Sequence, residues 1–297
     1  MKKDIFSYRL LASRIKSENV QKSERIFGYF IGPCIVSIVS TALFGSYLIQ
    51  FYTDVLSLTG GVLTWLPLVS NVIGGLMGLF VGGWIDRTRT AQGKAHPWLL
   101  LSALLMPLAG LLLYNVPAAH GVLQNAWVVV SYIFYFGIVG AFNTLSHSLL
   151  IPLSTRNVEE RDRLVMLSST ASSMIPGCLS TFVLPLAIRA IGIGAEALQN
   201  WRTVMSLLAL LLLPAILLEY YFTRERITEP PKPKAEQADF LLRLKACFTN
   251  RKWLLLLLFM VSQSFFSAFF NSSTIYYCNW VLCDSVQQGT DIQVLVH

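Results

Sequence analysis

Charged residues are scarce in this chain. Asp, Glu, Lys and Arg make up 13% of its 297 residues, whereas hydrophobic residues make up 54%. Soluble domains carry about a quarter charged residues, so this shortage excludes a soluble globular protein. The stretches 55–85 and 97–155 contain no Asp, Glu, Lys or Arg at all. Apolar runs of this length form membrane-spanning helices, and the composition therefore predicts an all-α polytopic membrane protein.

Residues suited to catalysis or metal binding are also few. The five cysteines have no metal-ligand spacing and are interpreted as small buried hydrophobic residues. A disulfide between Cys278 and Cys283, near a predicted outer end, is the open alternative. The apolar runs hold neither the paired acids nor the histidine cluster that an intramembrane enzyme needs. The sequence thus predicts no enzyme, no metal site and no cofactor.

Acidic residues are outnumbered by basic ones, 16 to 23, which gives a net charge of +7. The basic residues lie in the segments between apolar runs and form no continuous face. A nucleic acid is therefore not an expected partner. The expected partner is the lipid bilayer, because basic residues collect in the cytoplasmic segments of membrane proteins.

Seven apolar runs are each long enough to cross a hydrocarbon core of about 30 Å as a helix. They are 27–51, 61–85, 97–116, 126–152, 165–189, 203–222 and 252–280, and residues 292–296 resemble the start of an eighth. The first run is too long for a signal peptide, so we expect it to be retained. With the N-terminus inside, the inner segments hold 21 of the 23 Lys and Arg residues. This predicts a cytoplasmic N-terminus in the plasma (inner) membrane.

The runs divide the chain into four predicted parts. Residues 1–26 form a basic cytoplasmic N-terminus, and residues 27–222 form a six-helix transmembrane bundle. Residues 223–251 form a charged, Pro-rich cytoplasmic linker with an amphipathic segment. Residues 252–297 hold the seventh helix and the start of the eighth.

A short charged turn, residues 86–98, joins the second and third predicted spans. Arg87 and Arg89 follow the carboxyl end of a helix, where cations offset its partial negative charge. Gly93 permits a tight turn, and Pro97 suits the first turn of the next helix. A short basic turn between two uncharged runs predicts two membrane helices joined on the cytoplasmic side.

Four segments together resemble one known family. They are 28–32 (GYFIG), 51–55 (FYTDV), 86–98 (DRTRTAQGKAHPW), and Pro152 with 159–161 (EER). In this order and spacing, the chain resembles the glycoside–pentoside–hexuronide:cation symporters of the major facilitator superfamily, the group of the melibiose permease. The resemblance implies an N-terminal six-helix bundle followed by helix seven and the start of helix eight. It also implies transport of a sugar by alternating access, coupled to a proton or a sodium ion.

The resemblance has two further implications. The turn is expected to act as a cytoplasmic gating loop, with a plain topogenic turn as the alternative; its residues are Asp86, Arg87, Arg89, Gly93 and Lys94. The family has about twelve spans, so seven imply a C-terminally truncated chain. A non-functional fragment, or a facilitator of another small solute, is the alternative to a working sugar transporter.

The chain departs from the family in its second span. Transporters of the melibiose-permease type carry coupling acids there, at the positions of Gly74 and Gly78. With Gly82 these glycines form a ladder of small residues, which predicts close helix packing. We expect no formal charge in the core of any span, and only His147 to titrate well inside one. Because a cation site usually needs a carboxylate, the sequence favours sugar transport more than sodium coupling.

Polar residues within the uncharged spans are the candidate substrate ligands, because exposing such groups to lipid is costly. They are Asn71, Asn143, His147, Gln263, Asn271 and Tyr276. Asn143 and His147 are four residues apart and therefore share one helix face. Hydrogen bonds between helices are the alternative role of these side chains.

Overall fold

The computed structural model describes residues 13–15, 17, 19–44, 48, 51–52, 56, 58, 60–90, 92–117, 122–176, 197–227 and 248–277. The chain divides into two compact units, Met1–Thr228 and Glu229–His297. The division falls within the predicted linker. The predicted amphipathic segment, the start of the eighth span and the pair Cys278 and Cys283 lie outside the described residues.

Six helices of the first unit overlap the first six predicted spans. They are α1 (Glu24–Ile31, Gly32–Ser37 and Ile38–Phe44 in succession), α2 (Gly60–Arg87), α3 (His96–Tyr114), α4 (Val122–Tyr132, Ile133–Val139 and Gly140–Ser154 in succession), α5 (Val158–Ser169 and Thr170–Met174) and α6 (Ala197–Phe222). The described residues form no strand. Within the described residues, four helices are long and apolar enough to cross a membrane, namely α2, α3, α4 and α6. The predicted all-α polytopic membrane fold is thus confirmed.

Helix α6 packs along both α1 and α3. Glycines let these backbones approach closely. A Cβ atom on Gly28 would lie 2.8 Å from the carbonyl oxygen of Phe222, and one on Gly110 would lie 2.9 Å from the Cβ of Ala209. Small residues therefore set the spacing of three helices. The glycine-containing start of α1, which contributed to the family resemblance, has a packing reason.

The two ends of the bundle are held differently. At one end the aromatic rings of Phe51, Tyr114 and Trp201 pack together, with centroids 5.2 Å apart for Phe51 and Tyr114 and 5.8 Å apart for Phe51 and Trp201. At the other end, where α1, α3 and α5 begin and α2, α4 and α6 end, charged side chains predominate. The alternating direction of the helices brings their basic termini together there.

The second unit contains α7 (Arg251–Tyr277), which overlaps the seventh predicted span. Asn250 precedes it, and its side-chain oxygen accepts the N–H of Lys252 at 3.1 Å, as a helix N-cap does. The apolar side chains at 254–261 are exposed. A surface of this kind is suited to contact with lipid or with another helix.

Candidate substrate cavity and its surroundings

A cavity of about 820 Å³ lies within the first unit, between α1, α2 and α4, with α3 and α5 at its margin. Its polar lining consists of Ser37, Ser40, Ser70, Asn71, Tyr135, Asn143, Thr144, His147 and Ser172. Of the described residues, none that lines the cavity is Asp, Glu, Lys or Arg. The cavity therefore offers neutral donors and acceptors together with one histidine.

The structure brings three of the six candidate ligands together. Asn71, from α2, and Asn143 and His147, from α4, all line the cavity. Gln263 lies exposed on α7, in the other unit. Asn271 and Tyr276 lie on the last two turns of α7, and their side chains are outside the described part of the chain. The role of all six residues as substrate ligands stays a prediction.

Asn143 has one hydrogen bond to a neighbouring helix. The hydroxyl of Ser102, on α3, lies 3.3 Å from the Asn143 side-chain oxygen and can donate to it, although the same hydroxyl also lies 2.7 Å from the carbonyl of Leu99. The amide NH2 group of Asn143 has no partner among the described residues. The side chain is thus held by α3 and keeps two donors for a ligand.

Two further lining residues carry unpaired hydroxyl groups. The side-chain oxygens of Ser70 and Tyr135 are buried and have no hydrogen-bond partner within the described residues. Such groups are rare in folded proteins and call for a partner. Tyr135 also packs against Phe136, with ring centroids 4.8 Å apart, so two aromatic rings border the same cavity. Sequence patterns did not single out these residues, because Ser and Tyr are common in packed helices.

The glycine ladder of α2 packs only in part. A Cβ on Gly74 would lie 3.5 Å from the carbonyl oxygen of Gly137 on α4, which is ordinary contact. At Gly78 and Gly82 a Cβ would meet nothing within 4 Å. The predicted packing role is therefore seen at Gly74 alone among the described helices, and Gly78 lines the cavity. Gly74 thus allows contact between α2 and α4, whereas Gly78 leaves open space in the cavity between them.

His147 connects the cavity to a buried acid. Its Nδ1 lies 2.6 Å from Oε1 of Glu219 on α6, and its Nε2 lies 3.1 Å from the hydroxyl of Ser168 on α5. The Glu219 side chain is 3% exposed. Glu219 lies one turn from the end of the sixth span, so it falls outside the span cores in which we expect no formal charge. Sequence patterns did not single it out.

The start of α3 is held by Glu225, which follows α6. One Glu225 oxygen accepts the N–H of Lys94 at 2.8 Å, and the other accepts those of Ala95 and His96 at 2.8 and 2.9 Å. The ring Nδ1 of His96 lies 3.0 Å from the same carboxylate, and its Nε2 lies 3.0 Å from the carbonyl of Thr223. Glu225 and these three residues of the α3 start are called the α3 clamp below.

The surroundings of Glu225 change its acidity. Burial favours the neutral acid, but hydrogen bonds and charge from His96, with hydrogen bonds from the N–H groups of Lys94 and His96, outweigh burial. The pKa of Glu225 therefore lies below its ordinary value. A carboxylate at this position also complements the partial positive charge at the start of a helix.

The predicted gating loop has a defined structure. Gly93 has φ of 120°, a conformation that glycine adopts without strain. Its N–H bonds to the carbonyl of Thr90 at 3.1 Å, and a Cβ there would clash with the Glu225 carboxylate. Lys94 lies 3.6 Å from Asp86. Helix α2 extends two residues beyond the predicted span and ends at Arg87, and Arg89 is exposed. The gating role of these residues stays a prediction.

Two more ion pairs lie at this end of the bundle. Arg226 donates to both oxygens of Glu24, at 2.9 and 2.8 Å, and the Glu24 side chain is fully buried. Arg25 pairs with Glu160 at 2.7 Å, which joins the starts of α1 and α5. Residues 223–227, assigned from sequence to the linker, thus contact the bundle through specific side chains.

A bundle of membrane-spanning helices around a polar cavity is typical of membrane transporters. The chain belongs to the MFS/sugar transport protein family, whose model matches residues 28–296. The resemblance to the major facilitator superfamily is thereby confirmed, and this family is one of transporters, not enzymes.

Curated relatives agree with this family. The chain is 28% identical to the isoprimeverose transporter of Lactiplantibacillus pentosus, over 83% of this chain and 50% of the relative. It is 24% identical to the inner membrane symporter YicJ of Escherichia coli K12, over 90% of this chain and 56% of the relative. It is 22% identical to the glucuronide carrier protein homolog of the same organism, over 90% and 57%. The chain thus spans about half the length of these relatives.

Proposed function

We propose that the chain binds a sugar in the cavity between α1, α2 and α4 and takes part in its transport by alternating access. The observation that carries this proposal is the convergence of Asn71, Asn143 and His147 with the hydroxyl groups of Ser70 and Tyr135. A sugar hydroxyl both donates and accepts, so it matches a lining of neutral amides and hydroxyls. The proposed substrate class is glycosides, pentosides or hexuronides.

The size of the cavity and its aromatic rings support a sugar. Small-molecule sites in proteins measure about 300–1,000 Å³, a range that includes this cavity. Tyr135 and Phe136 offer apolar faces beside the polar groups, and the C–H faces of a sugar ring pack on such surfaces. A ligand with a formal charge has no opposite charge to meet among the described lining residues, unless His147 is protonated.

The charge distribution supports an orientation. The end of the bundle that holds the α3 clamp also carries Arg25, Arg87, Arg89 and Arg226. Because basic residues collect on the cytoplasmic side, we place this end, and with it the N-terminus, in the cytoplasm. We place the chain in the plasma (inner) membrane, in line with the name of its relative, the inner membrane symporter YicJ. The names of two relatives, a transporter of isoprimeverose and a carrier of glucuronide, point to the same substrate class.

Equilibrium binding to the chain tests the proposal directly. We expect the chain in lipid nanodiscs to bind at least one of isoprimeverose, lactose and a methyl glucuronide, measured by isothermal titration calorimetry. Asn143→Ala removes two hydrogen-bond donors from the cavity and should weaken binding about tenfold, the effect of roughly 1.4 kcal/mol.

Asn115→Ala is the matched control for this substitution. The Asn115 side chain bonds to Leu111 and Ser206, and it is not part of the cavity lining. Binding by this variant should equal that of the wild type. Equal loss of affinity in both variants, or no binding of any sugar in the panel, would contradict the proposed site.

A further inference from the structure

Glu219 is a carboxylate buried among membrane-spanning helices. It lies on α6, within the span Gln199–Phe222, and its side chain is 3% exposed. A charged side chain in this environment is unfavourable unless a partner compensates it, and such residues commonly serve transport or proton transfer. Apolar residues often replace a buried ion pair without loss of stability, so packing alone does not account for an acid here.

His147 is the partner of Glu219, and it also lines the cavity. Its Nδ1 contacts Glu219 at 2.6 Å, whereas part of its ring lines the cavity and the side chain is 23% exposed. Water in the cavity can therefore reach the imidazole but not the carboxylate. The imidazole therefore borders the cavity on one side and contacts the buried carboxylate on the other.

The hydroxyl of Ser168 lets this pair exist with or without an added proton. With neutral His147, Nδ1–H donates to ionised Glu219, and the Ser168 hydroxyl, 3.1 Å away, donates to Nε2. With protonated His147, Nδ1–H donates to the same carboxylate, and Nε2–H donates to the Ser168 oxygen after the hydroxyl rotates. No polar atom of the imidazole loses its partner in either state. A fixed donor or acceptor at this position would favour one state only.

Charged groups on the neighbouring elements are already engaged with one another. Glu24 of α1 pairs with Arg226 at 2.8 Å, and His96 of α3 pairs with Glu225 at 3.0 Å. Tyr29 of α1 is a further titratable side chain beside the pair, and it interacts electrostatically with Glu219.

The other contacts of the pair are neutral. Helix α5 presents the Ser168 hydroxyl, and the Thr223 hydroxyl donates to the backbone carbonyl of Glu219 at 2.7 Å. Among the described residues, His147 is thus the group that pairs with the Glu219 carboxylate.

We propose that His147 and Glu219 form a proton-binding site whose occupancy is coupled to sugar in the cavity. The coupling rests on the proposed function, whereas the proton site itself does not. A proton from cavity water adds to the lone pair of the His147 imidazole, and the pair changes from a net charge of −1 to 0. Release returns the same proton to water.

Sugar and proton favour one another through the shared cavity. Asn143 lies one helical turn from His147, so a sugar held there displaces water from the imidazole edge. Removing water makes the net charge of −1 more costly and so favours the protonated pair. By thermodynamic linkage, protonation must strengthen sugar binding by the same factor.

The proton site can be observed without a sugar. The chain contains 4 histidines, so selective 15N-histidine labelling in nanodiscs gives a simple NMR spectrum, in which His147→Gln assigns the signals of His147. We expect the signals of both ring nitrogens to change with pH in the wild type, because histidine is the side chain that titrates in the physiological range. In Glu219→Gln the titration should be displaced by about one pH unit or more.

The matched control is Glu225→Gln, which changes the other buried histidine–carboxylate pair. It should alter the signals of His96 and leave the His147 titration in place. Ring signals of His147 that do not change with pH, or that titrate identically in wild type and Glu219→Gln, would overturn the proton site.

Calorimetry with isoprimeverose tests the coupling. Titrations in two buffers of different ionisation enthalpy should show net proton uptake on binding, and affinity should weaken about tenfold or more from pH 6 to pH 9. Both effects should be absent in Glu219→Gln. Sugar binding without proton uptake would overturn the coupling. A chain that binds no sugar of the panel but retains the His147 titration would contradict the proposed function and not the proton site.

Discussion

Among single residues, Glu225 has the clearest structural role, because it supplies the hydrogen-bond acceptor that the start of helix α3 lacks. The residue before α3 is Ala95, whose side chain offers no acceptor for the first N–H groups of the helix. The carboxylate that follows α6 supplies it, and the same carboxylate occupies the space left by the missing side chain of Gly93. One acid thus holds a turn, a helix start and a histidine.

Removing this acid is expected to destabilise the bundle. In Glu225→Ala the buried N–H groups at the start of α3 lose their acceptor, at a cost of about 3 kcal/mol. Thermal unfolding of the nanodisc-embedded chain, followed by circular dichroism, measures the effect as a lower Tm. Glu159→Ala is the control, because that carboxylate is 73% exposed and a surface ion pair contributes under about 1 kcal/mol. Equal Tm values for the two variants would show that the α3 clamp contributes nothing.

The same comparison has a defined pH dependence. Because the pKa of Glu225 lies below its ordinary value, its contribution is fully present above that ordinary value, about 4.3, and is lost as pH falls through the folded-state pKa. The Tm difference between wild type and Glu225→Ala is therefore expected to be constant near neutral pH and to shrink as pH falls below about 4. A difference that grows on acidification would contradict the assigned sign.

Individual residues could be predicted where their role depends on sequence neighbours. Gly93 and Pro97 lie in the turn and first helical turn that their chemistry indicated. Glu219 and Glu225 could not be predicted, because their partners lie 72 and 129 residues away along the chain. No local pattern encodes which helices meet at those points.

At the scale of elements, the distance between α1 and α6 depends on glycine. Gly28→Ala would place a Cβ 2.8 Å from a backbone carbonyl of α6, so one helix must move, at a cost of about 1–3 kcal/mol. The variant is expected to lower Tm in the same unfolding assay.

Gly83→Ala on α2 controls for the general effect of alanine on a helix. A Cβ at that position meets nothing within 4 Å, and alanine favours the helix by up to about 1 kcal/mol. Its Tm should equal or exceed that of the wild type. A Tm decrease in both variants would mean that glycine acts on the helices themselves and not on their packing.

Helix existence followed from hydropathy, but helix limits did not. The fifth span was predicted from residue 165, whereas α5 begins at Val158. Its first turns are polar, and Asn157 caps them by accepting the N–H of Glu159 at 3.0 Å. A search for apolar runs detects the part of a helix that contacts lipid and misses the part that projects into water.

At the scale of the whole molecule, the chemistry of the cavity predicts which ion matters. The described lining contains no carboxylate, and a sodium ion bound in a region of low dielectric usually needs one. Replacing NaCl by choline chloride at constant ionic strength is expected to change the sugar affinity by less than about twofold. Calorimetry at fixed pH measures this. A tenfold or greater increase in affinity with sodium would contradict the prediction.

During translation, the ion pair and the helix cap at the α3-clamp end of the bundle can form only late. Arg226 follows its partner Glu24 by 202 residues, and Glu225 follows the start of α3 by 129. At translation rates of about 5–20 residues per second, Arg226 is synthesised roughly 10–40 s after Glu24. Until then the nascent chain exposes an unpaired carboxylate and an uncapped helix. Residues 225–226 thus complete their contacts with α1 and α3 only long after those helices have been synthesised.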